Sequence, residues 1–258
     1  MHNPASVTDA ALVPVPVPGR RPRALLAMHT ELAPKLIDAP TMRRLTELCD
    51  LDPALVADDF GAPAASAALS EAEVLISCWG CPPLTEEVLA RAPRLRAVIH
   101  AAGSVKHHIT DACWRRGIAV TSAASANAVP VAEYTVAFVL LAGKDLLRMR
   151  DDYRRRRADH DWQTAYEGAG NYRRTVGVVG ASRIGRRVME LLRPHDLELL
   201  LHDPYLLPGE AERLGARAVG LDELCVRSDV VSVHAPELPA THHLMSRERL
   251  ASMRTGAT

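Results

Sequence analysis

From Arg23 onward the chain alternates short apolar runs with amphipathic ones: RALLAM, TMRRLTELC, EVLISC, TEEVLARA, LRAVIHA, DACWRRG and IAVTSA follow one another. Strands that are parallel neighbours must be joined by crossovers, and a sheet buried on both faces reads as short continuous apolar runs. The alternation therefore predicts an open α/β layer of parallel strands with flanking helices. It resumes at Thr175 with TVGVVGASRIGRRVMELLRP, LELLLHDPY and GARAVGLDELCVRSDVVSVHAP. Strands are expected near Val176 to Val179, Leu197 to His202, Ala216 to Val219 and Val230 to Val233, the first half of a doubly wound nucleotide domain.

Between the two stretches, NAVPVAEYTVAFVLLAG predicts a helix from about Asn127 to Leu147, too broadly apolar for a surface helix and suited to packing between layers. Its apolar core, Val131 to Ala142, is shorter than a bilayer span, and a transmembrane reading is set aside. RMRDDYRRRRADHDW reads as a solvated helix or connector, and VPVPVPG as a polyproline-like tail. The organisation expected is a flexible tail over residues 1–20, a substrate-binding α/β domain over 21–125 and a partial nucleotide-binding domain over 126–258. Thr241 to Met253 reads as one more helix, which should feed a further strand, so the chain reads as truncated.

Thirty-one basic residues balance thirty-one acidic ones, so no global field draws the chain to nucleic acid or an anionic membrane. Five cysteines without a signal-peptide pattern point to a reducing, cytoplasmic setting.

The strongest local signal is GASRIG, Gly180 to Gly185, after an apolar strand and at the start of an amphipathic helix. Gly180 permits the tight turn, Gly185 permits close packing of helix on strand, and the new helix offers its first amides to a pyrophosphate. Ser182 stands at the middle glycine position, so its side chain must point away from the ligand or replace a water contact. Asp203 ends the next strand twenty-three residues after Gly180. A carboxylate there can accept hydrogen bonds from the adenosine ribose and repels a 2'-phosphate, which favours NAD over NADP; the lesser alternative is that Asp203 before Pro204 merely starts a turn. His234, Ala235 and Pro236 end another strand at the same edge and should border the cofactor, or simply form a terminating turn.

Other groups are less specific. Cys78 and Cys81 form CWGC, read as a cleft loop with thiol redox chemistry as the rival. The pairs His107, His108 and His242, His243 read as solvated or helix-end histidines, without a metal. The loop Ala102, Gly103, Ser104 and Val105 is either an ordinary turn or an anion-binding loop.

With these blocks in order, the sequence resembles the D-isomer-specific 2-hydroxyacid dehydrogenases: LRAVIHAAGSV, RGIAVTSAASANAVPVAEYTVAFVLL, TVGVVGASRIGRRV, LLLHDPY, DVVSVHAPELPATHHLM and LASMRTGA carry the likeness. The resemblance implies a flavodoxin-like substrate domain followed by an incomplete Rossmann domain. It implies that Gly103 and Ser104 lie in a substrate-carboxylate loop, and that Gly180, Ala181, Ser182, Arg183, Ile184, Asp203, His234, Ala235, Pro236 and Thr241 surround NAD. It implies hydride transfer between a D-2-hydroxy acid and a 2-oxo acid, and a homodimer. The family's catalytic arginine, glutamate and histidine fall after the block matching LASMRTGA, so none is assigned here and an inactive chain is expected. The alternative is a noncatalytic NAD-binding interaction protein on the same scaffold.

Overall fold

The computed structural model describes residues 20–157 and 161–258; the expected tail lies almost wholly outside them. The chain divides into two units, Met1–Ala124 and Ser125–Thr258.

In the first unit the elements run β1 (Ala24–Ala27), α1 (Ala33–Leu36), α2 (Ala39–Leu48), β2 (Val56–Ala57), α3 (Pro63–Glu71), β3 (Val74–Ser77), α4 (Glu86–Arg91), β4 (Ala97–His100), α5 (Asp111–Arg115) and β5 (Ala119–Ser122). The strands form one parallel sheet in the order β2-β1-β3-β4-β5, the flavodoxin-like order. Successive strand residues point to opposite faces, and both faces are apolar. Leu25 and Ala27 of β1 join Leu75, Val98, Leu69, Leu89 and Ile118 on one side, while Leu26, Met28 and Ile76 meet Ala33 and Ile37 on the other. Helix α2 begins where Asp38 accepts the Thr41 amide at 2.9 Å, and α4 where Thr85 accepts that of Val88 at 3.3 Å.

The second unit contains α6 (Ala124–Gly143), α7 (Leu146–Arg156), α8 (Trp162–Ala165), β6 (Arg174–Val179), α9 (Arg183–Leu192), β7 (Leu197–His202), α10 (Glu210–Arg213), β8 (Arg217–Ala218), α11 (Leu221–Arg227), β9 (Val230–Val233) and α12 (Arg247–Ser252). Its parallel sheet has the order β8-β7-β6-β9. Numbered within the unit this is 3-2-1-4, the Rossmann order, with its reversal between β6 and β9. One face packs Val176, Val178, Leu199 and Leu201 against Val188, Met189 and Leu192 of α9 and Ala132 and Val139 of α6. The opposite face buries Val179 and Leu200 under Leu221, Leu224 and Cys225. The α/β architecture of parallel sheets with flanking helices is thus present in both units.

Several boundaries differ from those expected. The helix placed at Asn127 to Leu147 is two: α6 ends at Gly143, and Asp145, in the left-handed region at φ 54°, turns the chain into α7. Helix α6 spans 20 residues and is long and apolar enough, by length and composition, to cross a membrane, which the shorter apolar run concealed. One side of it enters the core while Tyr134 and Phe138 stand 64% and 49% exposed. The helix expected over Thr241 to Met253 is instead a 3-10 turn, Pro239–Thr241, followed by α12, because Ser246 caps the Arg249 amide and restarts the chain there. The strand expected at Ala216 to Val219 is only β8.

Candidate functional site

In an open α/β sheet a ligand crevice lies beyond the carboxyl ends of the strands, where the strand order reverses. In the second unit that place is between the ends of β6 and β9. Strand β6 runs directly into Gly180, whose φ of +101° few side-chain-bearing residues adopt. A Cβ at Gly180 would lie 2.7 Å from the Ala235 amide nitrogen, and one at Gly185 would overlap the Gly180 carbonyl oxygen. The two glycines therefore let the turn pass against the end of β9 and let α9 sit directly on the turn.

Ser182 is the N-cap of α9: its Oγ accepts the Gly185 amide at 3.2 Å. Its side chain thus serves the helix as its cap. Asp203 closes the other side. Its carboxylate accepts the Ala181 amide at 2.7 Å and the Tyr205 amide at 2.8 Å, so it both ties β7's end to the glycine turn and starts its own turn. Thr241 donates to the Pro236 carbonyl at 2.6 Å and accepts the Leu238 amide at 2.9 Å, which folds the segment after β9 back over the crevice.

These residues enclose a cavity of about 390 Å³ lined by Gly180, Ala181, Ser182, Asp203, Ala235, Pro236 and Thr241, with Tyr205, Leu206, Leu238 and Leu244 among the apolar walls. Three expected residues do not line it. Arg183 reaches out to Ser125 Oγ at 2.6 Å, Ile184 packs against the core, and His234 Nε2 pairs with Ser232 Oγ at 2.9 Å. Burial holds His234 below the ordinary histidine range.

In the first unit, Gly103 and Ser104 lie in the loop after β4; Gly103 is half-buried and Ser104 exposed. Beneath them is a cluster that reading along the chain missed. Ser77 ends β3 beside His100, its partner in register at the end of β4. Ser77 Oγ lies 3.0 Å from His100 Nδ1 and 3.1 Å from His108 Nε2. Their relative exposures are 0%, 3% and 2%, so His108 is not the solvated residue expected, although His107, His242 and His243 are exposed. Burial, reinforced by repulsion from His100 and His107, pushes His108 down to about 4.

In the second unit, Asp152 of α7 is a further buried acid. It accepts Tyr166 OH at 2.6 Å and Arg155 at 2.9 Å. The tyrosine bond, which outweighs burial, holds its carboxyl below the usual range, while burial and Asp152 together push Tyr166 up to about 12.

These clusters correct one expectation. The sequence suggested a chain cut off before its catalytic residues and therefore deficient as an enzyme; the described residues instead retain buried Ser77, His100, His108 and Asp152 in ordered hydrogen-bonded arrangements. What hid them is their origin in separate segments that only the sheet register and tertiary packing unite.

The CWGC segment also has a definite character. Cys78 and Cys81 are buried free thiols. Burial, with Cys113 and Cys78 adding, pushes Cys81 up to about 12, the opposite of what a redox-active thiolate needs. Among the described residues no group of three or more His, Cys, Asp or Glu side chains is placed to hold a metal.

Comparison with known proteins agrees with this geometry. Residues 136–258 match the family model described as "D-isomer specific 2-hydroxyacid dehydrogenase, NAD binding domain". The D-3-phosphoglycerate dehydrogenase of Mycobacterium bovis is 33% identical over 191 residues, covering 74% of this chain and 35% of its own length. The formate dehydrogenase of Candida boidinii is 32% identical, covering 73% of this chain and 53% of its own. The chain thus spans about a third to a half of these curated relatives. The crystal structure of D-lactate dehydrogenase from Aquifex aeolicus complexed with NAD and lactic acid superposes with a TM-score of 0.68 at 27% identity, over 90% of this chain and 66% of that one.

Proposed function

Residues 136–258 match the NAD binding domain of the D-isomer specific 2-hydroxyacid dehydrogenases, and from this premise we propose that the chain belongs to that family and acts as an NAD-dependent oxidoreductase interconverting a 2-hydroxy acid and a 2-oxo acid. The observation that carries the reading is that Gly180, Ser182 and Asp203 line one crevice at the strand-order reversal.

The residues present fit NAD. Gly180 and Gly185 let the turn close against the end of β9 and α9 close on the turn, which brings the start of α9 to the crevice, where its first amides can receive a pyrophosphate. Asp203 spends one bond per oxygen on the Ala181 and Tyr205 amides, and a carboxylate has acceptor capacity left for a ribose hydroxyl. Its charge disfavours a 2'-phosphate. NAD, when bound, supplies the acceptor or donor of a hydride. In the first unit the amides at Gly103 and Ser104 hold the substrate carboxylate. His100 and His108 are buried and held neutral, which suits them to fixing geometry rather than exchanging protons with solvent.

Five free thiols, four of them buried, favour a reducing compartment, the cytoplasm. Self-association as a homodimer follows from the family and is read by sedimentation.

The test is direct. NADH should bind the purified chain in calorimetry, NADPH more weakly, and Asp203→Ala should weaken NADH by roughly tenfold or more, the loss of one charge-assisted hydrogen bond. NADH oxidation should depend on added glyoxylate or hydroxypyruvate. A folded chain with no affinity for NADH overturns the reading.

A further inference from the structure

The Ser77, His100 and His108 cluster has an unusual connectivity. His100 is the last residue of β4 and His108 the first buried residue after the loop 101–107, so the two rings mark the loop's entrance and exit. Both meet the single hydroxyl of Ser77, and the rings lie 4.6 Å apart. The backbone repeats the arrangement. The Ala101 amide donates to the Ser77 carbonyl at 2.7 Å, and the His108 carbonyl accepts the Leu84 amide at 2.8 Å. At the loop's exit the Ile109 amide donates to the Val105 carbonyl at 2.9 Å; Ala102 is buried, Gly103 half-buried and Ser104 exposed.

A hydroxyl carries one proton and two lone pairs, so it can donate to one imidazole, whose accepting nitrogen must be unprotonated, and accept from an N–H of the other, an arrangement that two neutral rings satisfy. Burial of both rings keeps them so. For His100 burial lowers the pKa and the Ser104 backbone partly opposes it. Its Nε2 is buried without a hydrogen bond. Three polar side chains buried in this way cost stability relative to apolar packing, and what the two bonds at the Ser77 hydroxyl contribute in return is one defined geometry.

We propose that Ser77, His100 and His108 form a buried clasp of positioning residues that fixes the loop 101–107 in the shape that presents the Gly103 and Ser104 amides to a substrate carboxylate. The clasp rests on the carboxylate-loop reading above and deepens it. The three residues do not touch the substrate; they set where the touching groups stand. Orientation of this kind is lost steeply with small displacements of the binding groups.

The test uses the whole chain saturated with NADH and the unreactive 2-oxo-acid analogue oxamate, titrated by calorimetry, with amide exchange followed across residues 102–106. Ser77→Ala and His108→Leu should weaken oxamate by roughly tenfold while leaving NADH affinity within about twofold. His108→Gln keeps a donor of similar reach and should stay within about threefold of the parent for oxamate, a rescue that a purely space-filling role would not need. Exchange at residues 102–106 should accelerate in Ser77→Ala and not in His108→Gln. Oxamate affinity equal to the parent in folded Ser77→Ala and His108→Leu, or equal loss in His108→Gln and His108→Leu, overturns the clasp. Unchanged exchange in Ser77→Ala overturns it without reference to any ligand. If Ser77→Ala does not fold, the Leu and Gln variants of His108 decide alone.

Ser104→Glu, an exposed change that sets a like charge at the loop's tip, separates the two claims. If it abolishes oxamate binding while Ser77→Ala does not affect it, the clasp falls and the carboxylate loop stands. If Ser104→Glu has no effect, or the parent does not bind oxamate, the carboxylate-loop reading falls and takes the clasp's role in binding with it.

Discussion

Ser182 occupies a position where the dinucleotide turn most often has glycine, and the geometry gives it a job of its own. With φ −66° and ψ 176° it has the backbone of an N-cap, and its Oγ satisfies the Gly185 amide. Ser182→Ala should cost about 1 kcal/mol and lower the melting temperature, whereas Ser182→Gly should cost only a few tenths. Calorimetric melting of the two variants checks this. His108 supplies a pH dependence. Its folded pKa of about 4 lies below the ordinary 6.5, so the unfolded chain binds more protons between those values. The stability it contributes is complete above about pH 6.5 and is lost as the pH falls towards 4, on the order of 3 kcal/mol in all. Denaturant titrations at pH 7, 5.5 and 4 should show that slope, and His108→Gln should flatten it.

At the scale of elements, Asp229 joins the start of β6 to the start of β9. It accepts the Thr175 amide at 2.8 Å, Arg174 at 3.1 Å and Arg254 at 3.2 Å. Burial raises its pKa, but the Thr175 amide and the two guanidinium groups outweigh that and hold the carboxyl low. Asp229→Asn should destabilise the second unit by about 1.5–3 kcal/mol through the loss of charge-assisted bonds, read as a lower denaturant midpoint at constant slope. The strands β7 and β9 were legible to the residue because each is a predominantly apolar run, LELLLH and VVSV, between turn residues. Helix α3 was not: its run of alanines over Pro63–Glu71 lacks the polar contrast that marks a face. Strand β2 has only two residues and no pattern of its own. The helix expected over Thr241 to Met253 failed because His243, in the left-handed region at φ 53°, and the Ser246 cap break the backbone where apolar periodicity alone continues.

For the molecule as a whole, each unit has a two-sided core of its own, and the candidate crevice lies within the second. NADH at about a hundredfold its Kd should add about 2.7 kcal/mol of stability. Hydrogen exchange should slow first at Ala181 to Gly185 and Ala235 to Thr241; protection confined to the first unit would contradict the placement. The candidate crevice was largely readable because strand, glycine turn, helix and acid are local in the chain. The Ser77 cluster was not, since its members are brought together only by strand register and a returning loop.

Asp203 already braces the protein's own backbone at two points before any ligand is considered. Retuning this chain to accept a phosphorylated dinucleotide by exchanging that one acid would strand the Ala181 and Tyr205 amides as well as remove the repulsion. A cofactor-switching design must therefore rebuild the support for both segments at the same time as it introduces the new cation.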